Sequence, residues 1–153
     1  MTGLTDSQTY GFKIQARNAI NTSVMSNTQY FACADVPEAS MVAPVLEEAT
    51  ESSITVSWSQ PASDGGSPIT GYKLFMNPTD DGDWYLVYDG TGQPTVLTFE
   101  KRNLQRGKYY RFQVSAINYI GEGKNSTEAI LLCAETPTAP GQPKLIVSDS
   151  SSV

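Results

Sequence analysis

Histidine is absent from the chain, which removes the commonest general base and the commonest ligand for transition metals. Cysteine is almost absent: Cys33 and Cys133 stand far apart, and two thiols without histidine assemble neither a zinc cluster nor a Cys–His nucleophile. Positive charge is also scarce. Ten Lys and Arg against 16 Asp and Glu leave a net charge of -6, which argues against a sequence-independent nucleic-acid binder and against attraction to an anionic membrane surface. No apolar run reaches the roughly 18 residues of a membrane span. The opening MTGLTDSQTY lacks the regions of a signal peptide. No cofactor, no nucleic acid and no membrane insertion are expected of this segment.

What is present is a repeat. Sliding the chain by 100 residues lays Tyr10 on Tyr110, Phe12 on Phe112, Ala16 on Ala116, Asn18 on Asn118, Cys33 on Cys133 and Pro37 on Pro137. Ten of the 30 positions from 10 to 39 are identical, where unrelated sequence of this composition gives roughly two. After one slipped residue, PVLEEATESSI (44–54) matches PKLIVSDSSSV (143–153). The chain therefore reads as residues 1–37, the last two strands of one module; 38–137, a complete module; and 138–153, the first strand of a third.

Within the complete repeat, short stretches alternate with period 2, as half-buried strands do. SSITVSW puts Ile54, Val56 and Trp58 on one face, and YRFQVSA does the same with Tyr110, Phe112, Val114 and Ala116. Between them, YKLFM, WYLVY and TVLTF read as strands; PASDGGSPITG, NPTDDGD and RNLQRG read as turns, and AILLCA closes the series. No stretch reads as a helix. With the Pro-led first strand, seven short strands make an all-β antiparallel sandwich the economical architecture.

Pro44, Trp58, Tyr72, Leu104, Tyr110, Phe112, Val114, Ala116 and Asn118, together with DGGSPITGY (64–72), resemble the pattern of the fibronectin type III module. The resemblance covers residues 44–137. It implies an immunoglobulin-like sandwich of seven strands, with Trp58, Tyr72, Leu104, Tyr110, Phe112 and Val114 as structural core. It also implies that Tyr110 is a tyrosine corner whose hydroxyl bonds to backbone near Leu104. The Arg-Gly-Asp triplet associated with some members is missing, so integrin binding does not carry over.

Features with other potential are each weighed against a plainer reading. Lys101, Arg102, Arg106, Lys108 and Arg111 gather half of the basic residues into a candidate interaction patch for a sulfated glycan or an acidic partner, against a solvated rim. Asp80, Asp81 and Asp83 match no EF-hand spacing and suit an ordinary turn. Asn21 and Asn125 head candidate glycosylation sequons, a pattern that Ser- and Thr-rich sequence also produces by chance.

The functional expectation is a non-enzymatic structural or adhesive spacer, touching neighbouring modules and an unidentified protein partner, outside the cell or at its surface. An intracellular filament is the alternative compartment. The alternative functions are a receptor-type ectodomain recognising a ligand through loops 61–68 and 120–125, and an accessory module of a larger enzyme. One prediction follows from the repeat alone. Cys33 and Cys133 hold equivalent places in successive modules, farther apart than the roughly 7 Å between Cα atoms that a disulfide spans. Mass spectrometry of the non-reduced protein is expected to recover both as unlinked peptides, and a Cys33–Cys133 crosslink would refute the spacing.

Overall fold

The computed structural model describes residues 3–5, 7–39, 42–79, 82–135 and 140–144. Among them there is no helix, and nine strands form three antiparallel sheets. A hairpin, β1 (Thr9–Phe12) with β2 (Gln29–Ala32), stands by itself. A three-stranded sheet runs β3–β4–β7, from β3 (Val45–Ala49), β4 (Ser53–Ser57) and β7 (Thr98–Arg102). A four-stranded sheet runs β6–β5–β8–β9, from β5 (Ile69–Pro78), β6 (Tyr85–Asp89), β8 (Tyr109–Asn118) and β9 (Ala129–Leu132). The last seven strands are a sandwich.

Side-chain alternation sets the faces of the two sheets. Ile54 and Val56 on β4, Tyr72, Leu74 and Met76 on β5, and Tyr110, Phe112, Val114 and Ala116 on β8 are buried between them with Trp58, Leu104, Ala129 and Cys133. Trp58 follows β4 directly and stacks obliquely on Tyr72 and Tyr88, at centroid distances of 6.0 and 5.9 Å. Tyr88 then meets Phe99 on β7 at 5.0 Å. One line of aromatic rings thus joins the sheets, and aromatic pairs of this kind contribute beyond the area they bury. Neither cysteine is in a disulfide; Cys133 is fully buried, and burial pushes its pKa up.

The backbone of Gln105 donates to the Tyr110 hydroxyl at 2.9 Å, closing the turn that follows Leu104. In the hairpin, Thr5 donates to Tyr10 in the same way at 2.8 Å. The 100-residue register recurs in the backbone bonds. Ser7 to Cys33 and Gly107 to Cys133 match, as do Ser23 to Ala16 and Gly123 to Ala116, and Ser26 to Ile14 and Val114's partner Ser126. Burial does not repeat. Phe112 and Val114 are 0% and 1% exposed, whereas their counterparts Phe12 and Ile14 are half-buried and 78% exposed. A lone two-stranded hairpin has nothing to cover its inner face.

Two strands, β5 and β7, differ most from the sequence reading. TVLTF was expected as a strand, but Thr95 lies in a turn closed by a bond from Val96 to Gln93, so β7 starts at Thr98 and runs through Lys101 and Arg102. YKLFM extends at both ends into the ten residues of β5. Its extension takes Asn77 and Pro78 out of the expected polar turn, with the buried Asn77 amide donating to the Asp83 carbonyl at 2.6 Å. The expected third-module strand falls mostly on residues 145–153, outside the described residues.

Two tyrosines make a test of this packing. The Tyr72 hydroxyl is buried without a hydrogen-bond partner among the described residues, so Tyr72→Phe is expected to leave stability unchanged or raised. Tyr110→Phe removes a made bond and is expected to cost about 1 kcal/mol, a drop of about 4–8 °C in melting temperature for a module this size. Trp58→Ala is expected to cost about 3–5 kcal/mol. Thermal unfolding of the three variants checks the order, and equal losses for the two tyrosines would contradict it.

Candidate functional site

The five basic residues are spread over two sheets and the turn that joins them. Lys101 and Arg102 lie on β7 and Arg111 on β8, which belong to different sheets, with Arg106 and Lys108 in the turn between. Arg102 pairs with Glu100 at 2.6 Å, Arg106 with Glu51 at 2.5 Å and Arg111 with Glu128 at 3.8 Å. The bond that Arg102 donates holds the Glu100 carboxyl below the usual range, and the same bond raises Arg102. Lys101 is the register partner of the core residue Ile54, so this edge strand carries a charge on its core-facing side, a device that discourages sheet-to-sheet addition.

Asp80 and Asp81 lie outside the described residues, while Asp83 receives the Asn77 bond through its carbonyl. Among the described residues no three His, Cys, Asp or Glu gather in a way that holds a metal ion. Asn21 and Asn125 are both exposed.

The loops expected to recognise a ligand are engaged by the chain itself. Asp35 donates through its backbone to the Gly65 carbonyl at 2.8 Å, and Glu38 to the Ser63 carbonyl at 3.2 Å. Pro37 is fully buried. From the end of β8, the Asn118 amide nitrogen donates to the carbonyls of Asp35 and Asp64 at 2.7 and 2.8 Å. Its oxygen accepts the backbone N–H groups of Ile120 and Gly121 at 2.8 and 3.0 Å. Residues 35–38, which leave the hairpin, are thereby seated between loops 61–68 and 120–125 of the sandwich. In the sequence Asn118 stands out only as part of the repeat pattern. Its recurrence as Asn18 was the available signal, because an Asn kept at a loop start suits bonding to nearby backbone.

The second loop is itself anchored. The Glu122 carboxylate accepts from the Ser115 hydroxyl and from the Lys73 ammonium, each at 2.7 Å. Burial alone would raise the Glu122 carboxyl, but the bonds from Lys73 and Ser115 outweigh it and leave the pKa lowered; Lys73 is raised chiefly by the same bond. A carboxyl with a depressed folded pKa stabilises above its unfolded pKa and loses that contribution as pH falls through the folded value. Melting curves on wild type and Glu122→Gln are therefore expected to differ at neutral pH and converge below the ordinary glutamate range. A constant gap across that window would show that the carboxylate charge is not the anchor.

The description "Fibronectin type III domain" matches residues 43–131. Myomesin-2 of Homo sapiens is 31% identical over 144 residues, covering 90% of this chain and 10% of that protein. Protein sidekick-1 of Gallus gallus is 33% identical over 137 residues, covering 87% of this chain and 6% of that one. The chain thus spans a tenth or less of these relatives' lengths. Among solved structures, domains A168-A170 from titin match with a TM-score of 0.63 at 24% identity, over 87% of this chain and 44% of that one; this likeness shows the fold alone. The twitchin kinase region from C. elegans matches at 0.57 and 26% identity, over 65% of this chain and 17% of that one. With more than half of its length under the family description and a sandwich of the matching architecture, the chain belongs to the fibronectin type III family.

Proposed function

We propose that the chain is a window on an extended array of fibronectin type III modules, serving as a structural and adhesive spacer through protein–protein contacts. Residues 1–37 supply the last two strands of one module, 38–137 a complete module and 138–153 the start of a third. The observation that carries this reading is the seated joint. A connection held by backbone bonds and by the buried Asn118 transmits orientation from one module to the next, as a spacer requires. The inner face of the hairpin supports the partial first module, since Phe12 is only half-buried and Ile14 is exposed where Phe112 and Val114 are buried a repeat later.

Adhesion has support from a relative named "Cell adhesion molecule-related/down-regulated by oncogenes" of Mus musculus, 38% identical over 84 residues, covering 55% of this chain and 7% of that protein. The accessory-module reading draws on the twitchin kinase region and on a structure titled "Titin kinase and its flanking domains". In both readings this segment is non-catalytic. The receptor reading keeps only those parts of loops 61–68 and 120–125 that the joint leaves uncovered. An extracellular or cell-surface setting is proposed with Asn21 and Asn125 as glycan acceptors, and an intracellular filament is the alternative; a mass loss on treating the native protein with peptide N-glycosidase separates the two.

Two measurements test the array. The full-length protein is expected to have a radius of gyration well above the compact-domain scaling of about 2.2·N^0.38 Å, and a compact particle would sink the spacer. On the 153-residue chain, amides from Tyr10 to Cys33 are expected to exchange fast beside slow exchange in β4, β5 and β8. Equal protection in a proven monomer would refute the partial first module.

A further inference from the structure

Three glycines, Gly65, Gly121 and Gly123, line the seat of the joint with Gly66 beside them, and the preceding chain fills the space their side chains would take. A Cβ on Gly65 would stand 2.2 Å from the Asp35 carbonyl oxygen, and one on Gly66 2.6 Å from the Ser7 nitrogen. These two also have positive φ, so their own turn accounts for part of the requirement. Gly121 and Gly123 are different, because neither has a positive φ. The three atoms nearest a Cβ on Gly123 all belong to Pro37, starting with its carbonyl oxygen at 2.3 Å, and the one atom near Gly121 is the Val36 Cγ1 at 3.3 Å. What these two glycines make room for is the joint and not their own module.

One repeat earlier, the same loop has the same backbone. Asn18 bonds to Asn21 at 3.1 Å as Asn118 bonds to Gly121 at 3.0 Å, and Ser23 bonds to Ala16 as Gly123 bonds to Ala116, both at 2.9 Å. The places of the two glycines are taken by Asn21 and Ser23. Set at the Gly123 position, the Ser23 Cβ meets a carbonyl oxygen at a distance that side chains do not adopt.

We propose that residues 121 and 123 encode the geometry of each joint: glycine at both admits the preceding connection and locks it, as at residues 35–38, whereas the Asn21 and Ser23 of the preceding module exclude that seat and impose a different joint. The partner of this surface is the preceding connection of the same chain. Successive joints along the array are then unequal, one rigid and the one before it arranged otherwise. The inference rests on the array reading.

The test writes the earlier loop onto the later one, as Gly121→Asn with Gly123→Ser in the 153-residue chain, beside Gly123→Ala and the control Gly141→Ala, which meets nothing within 4 Å. Amide exchange is read at Asp35 and Glu38. Wild type and the control are expected to protect both, and the other variants to exchange them roughly tenfold faster or more, with Leu74 and Phe112 as protected as in wild type. Unchanged exchange at Asp35 and Glu38 in a folded variant overturns the proposal. So does wild-type exchange there as fast as in a free peptide, and so does loss of protection at Leu74 and Phe112, since the clash is confined to the joint. A compact full-length protein that keeps Asp35 and Glu38 protected would instead sink the array reading and leave the seat intact.

Discussion

The arrangement depends on one buried amide. Asn118 is 4% exposed and makes four hydrogen bonds, two given and two taken, to the joint, to loop 61–68 and to its own loop. A buried amide left unpaired costs more than its bonds return when made, so each of the three segments is held where the side chain needs it. The position of that amide is set in turn by the sheet. Asn118 ends β8 opposite Ile69, beyond a bulge in the β5 ladder, and β8 is fixed along its length by the packing of Tyr110, Phe112 and Val114. Order passes from core to strand end to loops to joint.

The same dependence explains why the core is stiff where it is. The rings of Trp58, Tyr72, Tyr88 and Phe99 run from one sheet to the other, and Trp58 stands at the start of the loop that holds residues 61–68. Dense packing transmits a displacement instead of absorbing it. The hairpin has the local bonds of the later module, down to its tyrosine corner, yet only one ring pair of its own, Phe12 with Phe31 at 5.7 Å. Local bonding and core packing are separable here.

Much of this was legible because it is periodic or repeated. Ile54, Val56 and Trp58, and Tyr110 through Ala116, announce their face by period 2, and the 100-residue register predicts which backbone bonds recur. What was not legible depends on distant partners. The true start of β7 depends on pairing with β4, where Thr98 faces Ser57 and the Leu97 carbonyl accepts from Trp58 at 3.0 Å, and the alternation within TVLTF does not show that Thr95 belongs to the preceding turn. Five basic residues close in sequence read as a patch, but Glu51 and Glu128, remote in the chain, pair with two of them. The seating of the joint is not legible either, because the donors and acceptors that hold it lie on loops 25 or more residues away.

The two ends of the sandwich bear on how it carries load. β3 begins at Val45 opposite Ser57, on the side of the joint, while β9 ends at Leu132 opposite Tyr109, at the far end of β8. Along the proposed array, tension would therefore enter and leave at opposite ends of a strand about 33 Å long, nearly parallel to the strands. Ladder bonds in antiparallel sheets lie across the strands. A pull in this direction shears the β3–β4 and β8–β9 ladders as whole rows and does not unzip them one bond at a time. The module is built to resist stretching along the axis in which an array would be stretched.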